Sequence, residues 1–305
     1  MKHTIVKEPL DAEVAAMLQR WKDSGIPDIF EGDDAEVSRE RGRQVRAMFY
    51  PKPQLPKGRS EKLTIPGPAG EIPVEIVWPH EGEAKGALVY LHGGGWIVGD
   101  LDSHQAHALR IANETDSVVV NVGYRLAPEH RFPAAADDCE AATQYVWDHI
   151  EQFGGDRGKL AIGGDSAGGN MTAVVSLYAR DHGIRLSAQL LLYPATNLTG
   201  RENPDVAGKY LGPDFAVAAR DPRVSPALAP SLAGVAPAIL GVGIHDFLYE
   251  DNMAYAKLLR EAGVPLTLRE FPTLNHGFFS YTAVSKVSLD AAQLLCADLR
   301  KALHG

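Results

Sequence analysis

Gly164-Asp165-Ser166-Ala167-Gly168 lies between an apolar run, residues 159–163, and a segment of helical character, residues 170–180. This arrangement predicts a Gly-x-Ser-x-Gly turn from strand to helix, in which glycines are needed because a Cβ would collide with the adjoining elements. The turn exposes the serine Oγ beside a helix N-terminus, which favours developing negative charge. We therefore predict that Ser166 is a nucleophile. An ordinary glycine-flanked turn is the alternative, so the surrounding sequence has to separate the two.

A glycine-rich loop upstream supplies the second part of the predicted site. A buried strand, predicted for residues 87–91, runs into His92-Gly93-Gly94-Gly95-Trp96. Successive glycines leave backbone N–H groups unshielded, and acyl-transfer enzymes need preorganised N–H donors for the oxyanion of their intermediate. We predict that Gly94, Gly95 and Ala167 form this oxyanion hole. A phosphate-binding loop is the alternative, but the chain contains no Gly-x-x-x-x-Gly-Lys-Ser/Thr motif.

A serine hydroxyl is a weak nucleophile at neutral pH, so a base must take its proton. Of the eleven histidines, His276 fits best. It follows a predicted strand, residues 265–271, and precedes a predicted C-terminal helix, so it is expected at the carboxyl edge of the sheet. The alternative for this residue alone is a hydrogen-bonded loop histidine.

The base needs a carboxylate to orient it, and in one class of serine hydrolases the chain order is nucleophile, acid, histidine. Asp246 stands at the end of a predicted strand, residues 238–244, and is the predicted acid. Glu250 and Asp251 are alternatives. Both lie in the first turn of a predicted helix, residues 249–262, where carboxylates are common as partners of the helix dipole.

These motifs, together with Tyr124-Arg-Leu-Ala-Pro-Glu-His-Arg-Phe-Pro-Ala134, Ser225-Pro226 and Asn275-His276-Gly277-Phe278, resemble the bacterial branch of the hormone-sensitive-lipase-like carboxylesterases. The resemblance covers nearly the whole chain. One departure concerns the acid, where the family has Asp-Pro-Leu and this sequence has Asp246-Phe247-Leu248. A phenylalanine in place of proline predicts a less rigid acid loop. His245 beside it is interpreted as a surface residue, with a supporting role near the acid as the alternative.

Apolar strands alternate with helices along most of the chain, which predicts a mainly parallel sheet covered on both faces. The resemblance implies an α/β-hydrolase fold with this central sheet, helices on both faces and a helical cap. It divides the chain into an N-terminal helical part of the cap, residues 1–50, and a catalytic domain, residues 51–305, with a cap insertion at 197–221. On composition alone, that insertion is only a long surface loop. Trp21 and Phe215 are predicted to line the pocket.

The resemblance implies hydrolysis of short- to medium-chain acyl esters through a Ser-Asp-His triad and an acyl-enzyme. An amidase or deacetylase with the same triad is the alternative, followed by a non-catalytic ligand-binding protein on this fold. The mechanism needs no cofactor and no metal. His104 and His107 have some metal-ligand character, but no His-Glu-x-x-His motif accompanies them, so we predict a solvated helix face.

Composition limits the remaining possibilities. The net charge of −9 over 305 residues provides no basic patch and disfavours nucleic-acid binding. Cys139 and Cys296 are far apart and are predicted to be buried thiols of a cytoplasmic protein rather than a disulfide. The N-terminus has no apolar stretch of signal-peptide length, and no run of 18 apolar residues predicts a membrane span. The resemblance leaves a homodimer open, because dimers are frequent among similar enzymes.

Overall fold

Eight strands form one sheet in the part of the chain that the structure, a computed structural model, describes: residues 8–32, 34–200 and 204–305. The strands are β1 (Ser60–Gly67), β2 (Gly70–Val77), β3 (Gly86–Leu91), β4 (Ser117–Val122), β5 (Leu160–Asp165), β6 (Ala188–Leu192), β7 (Ala238–Gly243) and β8 (Leu266–Phe271). Their order across the sheet is β1-β2-β4-β3-β5-β6-β7-β8. β2 pairs antiparallel with β1 and β4, and the other pairs are parallel. The predicted mainly parallel sheet is confirmed.

Helices cover both faces of this sheet. They are α1 (Ala12–Asp23), α2 (Ala35–Phe49), α3 (Leu101–Thr115), α4 (Ala134–His149), α5 (Ala167–Asp181), α6 (Lys209–Leu211), α7 (Phe215–Ala218), α8 (Tyr249–Glu261) and α9 (Lys286–His304). Shorter helical turns lie at Ile150–Phe153, Arg157–Lys159, Pro204–Gly208, Pro226–Leu228 and Phe278–Tyr281. The helix predicted for 170–180 begins three residues earlier, directly after Ser166, because the serine itself makes the turn.

Side chains point alternately to the two faces of the sheet along the central strands, and this divides the core into two layers. In β3, Leu88 and Tyr90 pack with buried side chains of α3 and α9, whereas Val89 and Leu91 pack with those of α4 and α5. Every residue of β3 to β7 is buried, as expected for parallel strands that are covered on both faces. Cys139 and Cys296 are both buried and free, as predicted from the sequence.

The two segments predicted to form a cap are largely helical where the structure describes them. The first contains α1 and α2, and buried side chains of both join the core layer of α3 and α9. The second, 197–221, contains a helical turn, α6 and α7 rather than irregular loop alone. Residues 1–7, 33 and 201–203 of these segments lie outside the described residues. Among the helices that are described, none is long and apolar enough to cross a membrane.

Helix α5 approaches β3 closely enough that only glycine fits at Gly168. A Cβ there would overlap the carbonyl oxygen of Leu91 and lie 2.6 Å from that of His92. We predict that Gly168→Ala lowers the free energy of unfolding by about 3 kcal/mol, since overpacking against backbone cannot be relieved by a rotamer change. Urea denaturation followed by far-UV circular dichroism measures the effect.

Gly208→Ala is the matched control, because a Cβ added at Gly208 has no heavy atom of the described residues within 4 Å, apart from its chain neighbours and the backbone of its own helix. Its free energy of unfolding should stay within about 0.5 kcal/mol of the parent protein. Equal losses in the two variants would contradict the steric explanation.

Candidate active site

Ser166 occupies the corner between β5 and α5 with φ 54° and ψ −113°. A positive φ is uncommon for a residue with a side chain, and such strain persists only where the surroundings enforce it. Here the glycines on either side let β3, β5 and α5 pack closely enough to hold Ser166 at this positive φ. A Cβ at either Gly164 or Gly168 would overlap the carbonyl oxygen of Leu91 in the neighbouring strand. The steric requirement predicted for both glycines is therefore met.

The three residues predicted as nucleophile, base and acid lie in one line of hydrogen bonds. His276 Nε2 is 2.9 Å from Ser166 Oγ, and His276 Nδ1 is 2.9 and 3.0 Å from the two carboxylate oxygens of Asp246. The Asp246 side chain has no exposed surface. Its Oδ1 also accepts the backbone N–H of Leu248 at 2.7 Å, which fixes the carboxylate against the imidazole.

The two alternative acids lie elsewhere. Glu250 is exposed on α8. Asp251 is turned toward Thr196, from which its carboxylate accepts the backbone N–H at 2.7 Å and the hydroxyl at 3.0 Å. The structure therefore brings Asp246, and neither of its rivals, into contact with His276.

Aromatic side chains surround the imidazole of His276. The ring of Tyr193 meets it edge-on at a centroid distance of 4.9 Å, and the Tyr281 hydroxyl donates to the His276 carbonyl at 3.1 Å. Phe247, where the family has proline, is 75% exposed, yet its ring centroid is 4.6 Å from that of His276. The His245 ring donates from Nε2 to the carbonyl of Glu8 at 2.7 Å, so it joins the acid loop to the N-terminal segment.

Gly94 and Gly95, the predicted oxyanion donors, line the same cavity as Ser166. Both have positive φ, 125° and 59°, and a Cβ at Gly94 would overlap the carbonyl oxygen of Val98. Ala167 is the first residue of α5, so its N–H has no acceptor within the helix. The loop and the helix start thus border the serine from two sides.

A buried polar network beneath this loop was not predicted from the sequence. The carboxylate of Asp165 accepts the Tyr90 hydroxyl at 2.7 Å and the Gly93 N–H at 3.0 Å, and His104 Nε2 lies 3.5 Å from it. Asp165 precedes the serine, and Gly93 precedes the two glycines that are predicted to form the oxyanion hole. One carboxylate therefore connects the serine turn to the glycine loop.

The prediction of a solvated face for His104 and His107 is wrong. Their exposures are 2% and 5%, because this face of α3 packs onto the sheet beside Asp165 and Tyr90. These two imidazoles and Asp165 have ligand atoms within 4.8 Å of one another, the spacing of a metal site. The same Asp165 oxygen already accepts two protein hydrogen bonds, however, and Tyr90 OH lies 3.0 Å from His107 Nδ1. Hydrogen bonds thus hold this group of side chains together.

Burial controls the charges in this network. Burial and the charge of His104 lower the pKa of His107 to about 3 and that of His92 to about 4, so both rings are neutral at pH 7. Burial alone would raise the pKa of Asp165, but the neighbouring His104 lowers it overall, and the carboxylate stays ionised. A neutral His107 can donate from Nδ1 to Tyr90 and accept the Ser280 hydroxyl at Nε2, 3.2 Å away.

A cavity of about 590 Å³ opens above the serine. The described part of the N-terminal segment contributes Leu18, Trp21, Ile29 and Phe30 to its wall, and the 197–221 segment contributes Leu198, Val206 and Ala207. The prediction that Trp21 lines the pocket is confirmed. The prediction for Phe215 is wrong, since this ring packs instead against the core layer that contains α4 and α5.

Known proteins are similar to this chain in sequence and in overall structure. A family model described as α/β hydrolase fold matches residues 88–280. The chain belongs to this family. Carboxylic ester hydrolase LipN of Mycobacterium tuberculosis is 39% identical over 95% of this chain and 82% of its own length. Carboxylesterase NlhH of the same organism is 38% identical over 89% and 91% of the two chains.

Solved structures agree with these relatives. An esterase of Pyrobaculum calidifontis superposes with a TM-score of 0.86 at 32% identity, covering 96% of this chain and 99% of its own. The resemblance to the hormone-sensitive-lipase-like carboxylesterases is confirmed, and the chain is a serine carboxylic ester hydrolase.

The buried charge of Asp165 generates a stability prediction. Asp165→Asn is expected to lower the free energy of unfolding by about 3 kcal/mol at pH 7, because the buried Tyr90 hydroxyl and Gly93 N–H lose an ionised acceptor. The folded-state pKa of Asp165 is depressed, so its contribution is complete above about pH 4 and is lost as the pH falls further. The difference between the two proteins should therefore narrow from pH 5 to pH 2 in urea denaturation.

Asp148→Asn is the control, since Asp148 is exposed on α4 and its carboxylate accepts only a side-chain amide of the same helix in the described structure. Its effect should stay within about 0.5 kcal/mol. A loss in Asp165→Asn that is the same at every pH would contradict the charge argument.

Proposed function

We propose that this protein hydrolyses short- to medium-chain acyl esters through an acyl-enzyme on Ser166, with His276 as base and Asp246 as orienting acid. The observation that carries the proposal is the pair of 2.9 Å contacts on opposite sides of one imidazole, to the Ser166 hydroxyl and to the Asp246 carboxylate. A carboxylate can only accept, so Nδ1 carries the proton and the Nε2 lone pair faces the serine. This tautomer is the one a general base requires.

In the proposed reaction, His276 takes the Ser166 proton while Oγ attacks the ester carbonyl. The N–H groups of Gly94, Gly95 and Ala167 stabilise the oxyanion, assisted by the N-terminal dipole of α5. The protonated His276 then gives its proton to the leaving alcohol. Water enters, His276 takes one of its protons, and attack on the acyl group releases the acid and frees Ser166. Asp246 stabilises the imidazolium in both halves of the cycle.

We assign residues 1–50 and 197–221 to a cap over the catalytic domain, which comprises the remaining parts of 51–305. Support comes from the cavity wall, to which the described parts of both segments contribute apolar side chains. A cavity of about 590 Å³ with such a wall suits an acyl chain of short to medium length. A cytoplasmic location, homodimer formation and the absence of nucleic-acid binding stay predictions from the sequence.

The same triad could cleave an amide, where the amine must be protonated as it leaves. Rates on matched p-nitrophenyl butyrate and butyryl p-nitroanilide compare the two activities directly. We expect kcat/KM to be higher for the ester. A faster anilide reaction would assign the protein to the amidases or deacetylases.

Replacement of the nucleophile gives the main test. Ser166→Ala is expected to lower kcat on p-nitrophenyl butyrate by roughly 10⁴ to 10⁶, because triad members act as a unit. A fluorophosphonate probe should label the parent protein at Ser166 and leave the variant unlabelled. Retention of a tenth of the parent rate, with unchanged thermal stability, would rule out this nucleophile.

The acid can be tested against Glu250, its exposed rival on α8. Asp246→Asn should lower kcat by roughly 10⁴, because an amide can no longer hold His276 in the required tautomer. Glu250→Gln should change the rate less than about twofold, since Glu250 is exposed on α8. If the Glu250 variant loses activity and the Asp246 variant keeps it, the acid has been assigned incorrectly.

A further inference from the structure

Arg46, on the inner side of α2, is a cation in the wall of the active-site cavity. It lines this cavity together with Ser166 and His276, and it is partly buried. The only hydrogen bond of its guanidinium among the described residues is a long one, 3.4 Å from Nη1 to the Ser103 carbonyl. Most of the surrounding wall is apolar, so this charge stands out among its neighbours.

Two other arginines of α2, Arg39 and Arg43, form ion pairs with glutamates. Arg39 donates from both terminal nitrogens to the carboxylate of Glu129, at 2.9 and 2.6 Å. Arg43 pairs with two glutamates of its own helix, at 3.0 and 2.9 Å. Within the described residues, Arg46 has no carboxylate at ion-pair distance.

Acidic residues that share a pocket wall with Arg46, Asp28 in the active-site cavity and Asp100 in a small neighbouring pocket, have other partners. Asp28 is exposed, and its carboxylate accepts the Phe30 N–H at 2.9 Å. Asp100 is also exposed and caps α3 by accepting the Ser103 N–H at 2.7 Å. The wall of the cavity therefore offers a guanidinium that forms no ion pair with a described carboxylate and can accept an anionic ligand.

A partly desolvated cation is costly unless it is paired, and a carboxylate fits a guanidinium through two parallel hydrogen bonds. We propose that the cavity accepts esters that carry a second, free carboxylate, and that Arg46 binds this carboxylate. The inference rests on the proposed esterase function. The free carboxylate can belong to the acyl part, as in a dicarboxylic acid monoester, or to the alcohol part.

Matched substrate pairs test the inference. The acyl pair is mono-p-nitrophenyl adipate against p-nitrophenyl hexanoate, and the alcohol pair is 4-carboxybenzyl butyrate against benzyl butyrate. In at least one pair, Arg46→Gln should lower the charged-to-neutral ratio of kcat/KM by about 10- to 100-fold. The pair that responds identifies the part of the substrate that carries the carboxylate. Arg46→Lys should give an intermediate ratio, because it keeps the charge and loses the bidentate geometry.

Arg43→Gln is the matched control on the same helix and should leave both ratios unchanged. An unchanged ratio in both pairs for folded Arg46→Gln, with the neutral esters still hydrolysed, would overturn the inference and leave the esterase proposal intact.

Binding without turnover separates the two proposals. In Ser166→Ala protein, calorimetry with monomethyl adipate and methyl hexanoate should show preference for the anion. Adding Arg46→Gln should weaken binding of the anion by about 10- to 100-fold. The same comparison is made with 4-carboxybenzyl butyrate and benzyl butyrate, and equal affinities with and without Arg46 in both pairs would contradict the carboxylate site even if no ester is ever hydrolysed.

Discussion

The close approach of β5 and α5 to the carbonyl of Leu91 is the constraint on which the site depends. Leu91 ends β3 and pairs with Gly164 in the parallel register of β3 and β5. The two glycines of the serine turn have no Cβ to place against this carbonyl, so the corner can close with Ser166 at positive φ. The same carbonyl ends the strand that leads into the glycine loop. Backbone packing thus determines where the nucleophile and the loop lie relative to each other.

The buried carboxylate of Asp165 adds an electrostatic connection to this packing. It lies at the end of β5 and accepts the Gly93 N–H. This hydrogen bond stabilises the buried charge and attaches it to the loop that is proposed to form the oxyanion hole. An ionised group at 6% exposure would be costly without such partners. Tyr90 and His104 provide the rest of its surroundings. Asp165 therefore helps to order the glycine loop beside the proposed nucleophile.

The sequence predicted best the features that are determined by residues adjacent to one another in the chain. The buried strands followed from apolar runs and the serine turn from its glycines, whereas the contact between Asp246 and His276 followed from the chain order of a known class of hydrolases. The burial of His104 was missed because its partners come from β3 and β5, far away in the sequence. Phe215 was misplaced because the pocket wall depends on how 197–221 folds back. Such long-range contacts leave little trace in a single stretch of sequence.

The proposed chemistry and the proposed substrate selection use different parts of the chain. The residues of the proposed triad lie on turns that follow β5, β7 and β8, where the parallel sheet fixes the separations of the three side chains. The described parts of the N-terminal segment and of 197–221 contribute the apolar wall. A substitution at Arg46 can alter the charge of the cavity without changing the core, because the α2 side chains that join the core layer of α3 and α9 are Val45 and Phe49. Variation in these segments can therefore change which ester enters while the hydrolytic geometry is kept.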